Sequence, residues 1–282
     1  MTDSKARFLL GGDRDVARLG FGAMRLTGEG GWGDHGDKAA MVRLLRRAAD
    51  IGVELFDTSD SYGPHVSEQL IAEALHPYPR LTIATKGGLT RSGPHQFAPV
   101  GRPEYLRQCV LMSLRRLRVD RIDLWYLHRI DPKVPETEQF EAIAEFQKEG
   151  LVAHLGLSAV DRKQAERACG FFKVAAIQNR YSLADRSAEP LLRYCEATGT
   201  AFVPFFPGEL GQAQDVADEI ARAHNASARQ VALAWLLHRS PSILPIPGTA
   251  NIAHLEENVA AADLTLSADE VQALVTASEQ RG

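Results

Sequence analysis

Residues 28–33 read GEGGWG, directly after the apolar run RLGFGAMRL (18–26). The spacing is G-x-G-x-x-G, so this stretch decides between the dinucleotide fingerprint of a doubly wound sheet and an ordinary glycine-rich loop. The fingerprint works only where the third glycine opens a helix at once, so that the helix N-terminus faces a pyrophosphate. Here DHGDK (34–38) intervenes, and the first residue suited to cap a helix is Asp37, ahead of KAAMVRLLRRAADIG. GEGGWG therefore reads as a loop between a strand and a helix. Any nucleotide site must be built elsewhere.

Working outward, short β-branched or aromatic runs alternate with longer amphipathic ones. The strand candidates are RLGFGAM (18–24), VELFDTS (53–59), LTIATK (81–86), IDLWYLH (122–128), VAHLGLS (152–158), VAAIQN (174–179), TAFVPFF (200–206) and SILPIPG (242–248). Helix candidates fill the gaps: KAAMVRLLRRAAD, VSEQLIAEAL, PEYLRQCVLMSLRRL, TEQFEAIAEFQKE and EPLLRYCEA carry apolar residues at helical spacing. Pro103 suits a first turn, and Ser227 with Gln230 and Ser267 with Glu270 have capping-box spacing. Eight βα units without a Pro/Gly/Ser-rich linker predict an α/β fold, a (β/α)8 TIM barrel forming a single domain over residues 1–282. An open doubly wound sheet is the competitor, because alternation alone does not prove closure.

The totals exclude several function classes. With 32 Lys and Arg against 36 Asp and Glu the net charge is -4, which gives no electrostatic ground for a nucleic-acid partner. The densest basic cluster, RRLRVDR (115–121), reads as a solvated helix end. No run reaches the length of a membrane span and MTDSKARF lacks a secretory apolar stretch, so a cytoplasmic location is the expectation. Cys109, Cys169 and Cys195 lack metal-ligand spacing and read as buried thiols, and no metal site is expected. Nothing in the residues sets an oligomeric state.

In a barrel of this kind the active site lies at the C-terminal strand ends. Asp57 ends VELFD, Tyr62 follows five residues on, Lys86 ends LTIATK and His128 ends IDLWYLH. Singly, each has a structural reading: a helix cap, a half-buried aromatic, a surface charge and a core histidine. At consecutive strand ends they form a proton-donating apparatus. A phenol titrates near 10 and is a weak acid at neutral pH unless its phenolate is stabilised. Lys86 is expected to stabilise it, Asp57 to hold the ammonium, and His128 to orient a substrate carbonyl and share in the proton transfer. No side chain donates hydride, so a nicotinamide cofactor is implied.

FDTSDSYG, strand-terminal Lys86 and His128, GLSA, IQNRYS and IPGTANIAHLEENVAAA together resemble the aldo-keto reductases over nearly the whole chain. The resemblance implies that Asp57, Tyr62, Lys86 and His128 are the family tetrad, with Tyr62 the general acid. It implies an extended NADPH across the barrel mouth, with NADH as the alternative. Ser158 and Gln178 match positions that bind the nicotinamide carboxamide, and Phe205 matches the aromatic that stacks on its ring. Gly248, Thr249, His254, Glu257 and Asn258 match the segment that receives the adenosine phosphate and adenine, with backbone N–H groups at a helix start as phosphate donors. GEGGWG then becomes a loop near the substrate.

Four positions depart from the family pattern. Ala159 stands where the family usually has Asn, Gly208 where a leucine is typical, and Gly248 and His254 where many relatives place Lys and Arg against the 2′-phosphate. The expected substrate is a small-molecule carbonyl, with Trp32, His65 and Arg129 lining its pocket. DTSDSYGPHVSEQ, PFFPGELG and AHLEEN are similar to bacterial members that reduce aldehydes including pyridoxal. Two other functions stay open at this point: a Schiff-base lyase using Lys86 as nucleophile, and a non-enzymatic nucleotide-binding regulatory module.

Overall fold

The computed structural model describes residues 7–279. The chain opens with an antiparallel hairpin, β1 (Arg7–Leu10) and β2 (Arg14–Ala17). Next, β3 (Phe21–Gly22) leads to α1 (Lys38–Asp50) and β4 (Leu55–Asp57) to α2 (Val66–Leu75). After β5 (Thr82–Gly87) comes a second hairpin, β6 (Leu89–Gly93) and β7 (Gln96–Pro99), then α3 (Pro103–Leu117). β8 (Ile122–Leu127) leads to α4 (Glu136–Lys148), and β9 (Val152–Ser158) to α5 (Arg162–Ala168). β10 (Val174–Arg180) leads to α6 (Glu189–Thr198), and β11 (Ala201–Phe205) to α7 (Gln214–Ala223) and α8 (Ala228–Arg239). Last come α9 (Ile252–Ala260) and α10 (Ala268–Glu279).

Seven strands form one curled parallel sheet in the order β11-β10-β9-β8-β5-β4-β3, and helices cover it. The local signals act as expected. Asp37 accepts from the Ala40 N–H at the start of α1, Pro103 opens α3, and the Ser227–Gln230 and Ser267–Glu270 boxes are both formed.

SILPIPG does not become a regular strand. Its carbonyls accept from Phe202 (2.8 Å to Ser242), Gly20 (2.9 Å to Pro245) and Gly22 (3.3 Å to Pro247), and Leu244 donates to Phe202 (2.8 Å). Pro245 and Pro247 have no N–H, so the segment accepts beside β3 without donating back, and no ladder forms. It nevertheless touches both edge strands of the sheet. The two hairpins, which lie outside the eight βα units, are a further difference.

Period-2 alternation gives the sheet two faces. Phe56, Ile83, Trp125, Leu155, Leu157, Ile177 and Phe202 belong to the apolar layers that include the helices. Leu55, Ala84, Leu124, Tyr126, Ala176, Ala201, Val203, Leu244 and Ile246 form the other cluster, joined by Leu10 and Val16 of the first hairpin. Gly156 is required there, since a Cβ would stand 2.5 Å from the Tyr126 ring. Hairpin and β9 are tied by His154 Nε2 to Asp13 Oδ1 at 2.8 Å.

Two further expectations are corrected. Cys109 and Cys195 are buried but Cys169 is exposed. RRLRVDR is not wholly solvated either, because the Arg116 side chain is only 13% exposed and pairs at 2.5 Å with Glu68, which is fully buried. Among the described residues no helix is long and apolar enough to cross a membrane, and no cluster of His, Cys, Asp or Glu could hold a metal ion.

Candidate active site

Two residues beyond Leu55, Ala84, Tyr126 and Ala176 on their strands stand Asp57, Lys86, His128 and Gln178. Alternation therefore places them on the same inner face as the apolar cluster, one layer nearer the strand ends. The chain swaps an apolar interior for a polar one at that level.

Lys86 is the hub. Its fully buried ammonium donates to Asp57 Oδ1 at 2.5 Å, to the Thr58 carbonyl at 2.7 Å and to Tyr62 Oη at 3.4 Å. Burial pulls its pKa down, but Asp57 and Tyr62 more than offset this, so Lys86 is held above its ordinary value and stays charged. Asp57 Oδ2 accepts from Gln178 Nε2 at 2.9 Å, so the position matched to carboxamide binding is also joined directly to the tetrad.

Tyr62 is 8% exposed. Burial pushes its phenol above the usual value; Lys86 pulls down, Asp57 pushes up, and Arg129 pulls down more weakly. Stabilisation of the phenolate by Lys86 is thus present, yet desolvation outweighs it and the hydroxyl keeps its proton at neutral pH. His128 is held well below the ordinary histidine range by burial, then by Lys86, Arg129 and Arg91. Its ring stands edge-on to Tyr62, centroids 6.0 Å apart, and its Nδ1 lies 3.1 Å from Ser59 Oγ. A hydroxyl donating to Nδ1 puts the ring proton of neutral His128 on Nε2; the reverse bond would put it on Nδ1.

The remaining candidates divide. Trp32 is bridged to Gly63, next to Tyr62, and its ring is 5.7 Å from the Arg91 guanidinium. Arg91 donates to the carbonyls of Gly30, Gly31 and Ser61, stitching GEGGWG to SDSYG. The loop with the accidental fingerprint is therefore packed beside the loop that carries Tyr62. Arg129 lies 3.5 Å from Ser158 Oγ and 5.8 Å from the Phe205 ring centre, bringing those three together. His65 heads α2 in a left-handed conformation, and its electrostatic neighbours are Arg116, Glu68 and Asp60, not the tetrad.

At the start of α9, Thr249 Oγ1 accepts from the Asn251 N–H at 3.0 Å, and Asn251 Oδ1 accepts from Ala253 and His254. The helix start expected to offer free N–H groups is thus already partly capped by a side chain. His254 and Glu257 are exposed. Asn258 is 1% exposed, and neither amide atom has a partner among the described residues; the same holds for the buried Nε of Arg229. Buried polar atoms left unpaired are costly. An amide donor and acceptor fit the edge of a heterocycle, and a guanidinium fits a phosphate.

The sequence reading missed Ser59 behind His128, Arg229 beside Gly248, and a buried cluster of Asp60, Glu68, Thr85, Cys109 and Arg116 beneath the tetrad. There Glu68 accepts from Thr85 Oγ1 at 2.6 Å and pairs with Arg116. Burial, reinforced by Glu68, lifts the Asp60 carboxyl to about 7. A glutamate and arginine 48 residues apart gave no local signal.

Residues 18–279 match the Aldo/keto reductase family. An uncharacterised oxidoreductase of Schizosaccharomyces pombe is 51% identical over 264 residues, covering 92% of this chain and 85% of that protein. Pyridoxine 4-dehydrogenase of Escherichia coli is 41% identical over 272 residues, covering 93% and 95%. Among solved structures, a thermostable aldo-keto reductase in complex with the inhibitor epalrestat superposes with a TM-score of 0.85 at 29% identity, covering 96% of this chain and 99% of that one. An aldo-keto reductase from Klebsiella pneumoniae in complex with NADPH gives 0.80 at 25% identity, covering 97% and 94%. The chain belongs to the aldo/keto reductase family, and so to the oxidoreductases.

Proposed function

We propose that this protein reduces an aldehyde or ketone to an alcohol with NADPH, Tyr62 delivering the proton. NADPH, once bound, would supply the hydride that the carbonyl carbon accepts, giving NADP+. The protein's part is to place the carbonyl oxygen within reach of Tyr62 Oη and His128 Nε2–H, whose hydrogen bonds take up the developing negative charge. The Tyr62 proton then completes the alcohol, and the charged Lys86 steadies the phenolate left behind.

The observation that carries this reading is Lys86 wedged between Asp57 and Tyr62 with no water-exposed surface. The same contact counts against a Schiff-base lyase, which needs a neutral amine, whereas Asp57 keeps Lys86 protonated. Ser158, Gln178 and Phe205 would hold the nicotinamide end, and Gly248, Thr249, His254, Glu257 and Asn258 the adenosine end. The 41% identity to pyridoxine 4-dehydrogenase of Escherichia coli supports pyridoxal or another small aromatic aldehyde as substrate, with Trp32 and Arg129 against it.

We further infer that residues 242–248 close the sheet into a (β/α)8 barrel and a single domain, because that segment hydrogen-bonds toward β3 and β11 alike. The functional test is Tyr62→Phe, with NADPH binding followed by cofactor fluorescence and turnover on a panel of aldehydes that includes pyridoxal. Loss of turnover with binding retained is expected; unchanged turnover removes Tyr62 as the acid. Nucleotide binding without oxidation by any aldehyde would favour the regulatory module.

A further inference from the structure

Gly248 and His254 leave the adenosine-phosphate segment without the two basic residues that many relatives carry there. The backbone explains the first: a Cβ at 248 would stand 2.7 Å from the Gly22 carbonyl oxygen. Any side chain at 248, a lysine included, would require the two backbones to part. Nor does the start of α9 compensate, because Asn251 already occupies two of its N–H groups.

Cations stand beside the segment instead. Arg229, in the first turn of α8, lays its stem along Gly208, whose Cβ would lie 3.5 Å from Arg229 Cγ and Nε. Its Nη2 approaches the Gly248 carbonyl at 3.4 Å, and its buried Nε has no acceptor. From the other side the stem of Arg25 passes 3.8 Å from where a Gly248 Cβ would be. Among the described residues neither arginine has a carboxylate at ion-pair distance. Burial and the charge of Arg25 both press Arg229 below its ordinary range, with Glu257 opposing only weakly. Two cations flanking one glycine, one of them with an orphaned buried N–H and neither with a carboxylate at ion-pair distance among the described residues, describe a site for an anion.

We propose that Arg229, supported by Arg25, is the receptor for the 2′-phosphate of NADPH, replacing from α8 and the β3–α1 loop the cations absent at 248 and 254. The inference rests on the cofactor reading above. A planar guanidinium whose stem is fixed against Gly208 presents two parallel N–H donors to a phosphate; the flexible ammonium it replaces would have presented a point charge.

The test is fluorescence titration of the full chain with NADPH and NADH, and competition by 2′,5′-ADP, in the wild type and in Arg229→Met, which keeps the stem on Gly208 and removes the charge. Weakening of NADPH and of 2′,5′-ADP by ten-fold or more is expected, with NADH held within about two-fold and a smaller loss for Arg25→Ala. Equal weakening of NADPH and NADH would assign Arg229 to the pyrophosphate or to packing and overturn the proposal, as would no change in either. A wild type that binds neither nucleotide removes the cofactor reading itself, and this inference with it.

Discussion

Replacing Lys86 by Met exposes the energetics of the site. The ammonium has no exposed surface, Asp57 is 2% exposed, and they meet at 2.5 Å. Removing one partner of such a pair strands a buried charge, which costs roughly 3–5 kcal/mol. One donor remains to Asp57, from Gln178 at 2.9 Å, so the lower half of that range is expected. In Lys86→Met/Asp57→Asn no charge is stranded; what is lost is chiefly the hydrogen bond to the Thr58 carbonyl, about 1 kcal/mol. Urea unfolding of the wild type, both single variants and the double variant measures the coupling, which should exceed about 2 kcal/mol. The pH profile gives an independent check. In Lys86→Met, Asp57 keeps the desolvation that raises its pKa and loses the cation that lowered it. Its folded pKa then lies above the unfolded value of about 4, so the deficit is smallest in acid and grows as pH rises from there. A Lys86→Met penalty under about 1 kcal/mol, or strict additivity in the cycle, would refute a desolvated pair at the centre of the site.

Asp60→Asn addresses the cluster beneath. Because the folded carboxyl sits near 7, the native state holds a proton that the unfolded chain has released, and stability falls as pH rises between about 4 and 7. The full effect is on the order of 4 kcal/mol at most. The variant should flatten the difference in unfolding midpoint between pH 5 and pH 8; identical slopes would show that Asp60 ionises freely. Ala159→Asn tests the family departure, since Ala159 is exposed with φ 52°, a left-handed conformation that alanine resists and asparagine tolerates. A gain of about 0.5–1 kcal/mol and tighter nucleotide binding are expected; an unchanged unfolding midpoint would show that the turn stores no strain.

Asp57, Lys86 and His128 are legible as candidates because each stands at the end of a short apolar run, whereas Tyr62 lies in the loop five residues past Asp57 and is marked only by FDTSDSYG. The same reading failed at SILPIPG, where apolar content predicted a ladder that the missing N–H groups of Pro245 and Pro247 forbid. The hairpins at 7–17 and 89–99 carry no readable strand pattern, because their two-sided exposure blurs the alternation. The Arg229–Gly248 approach and the Glu68–Arg116 pair were not legible at all. They join residues 19 and 48 positions apart through side-chain direction, which one sequence does not record.

The proline-bearing segment also bears on how the protein is made. Until residues 242–248 have left the ribosome, β3 and β11 lack the carbonyls that receive the Gly20, Gly22 and Phe202 N–H groups. A nascent chain can pack its first seven βα units and still present two bare sheet edges, the surfaces through which strands recruit one another between molecules. Premature termination shortly before that segment should therefore yield a self-associating product, and residues 242–248 guard the protein against aggregation.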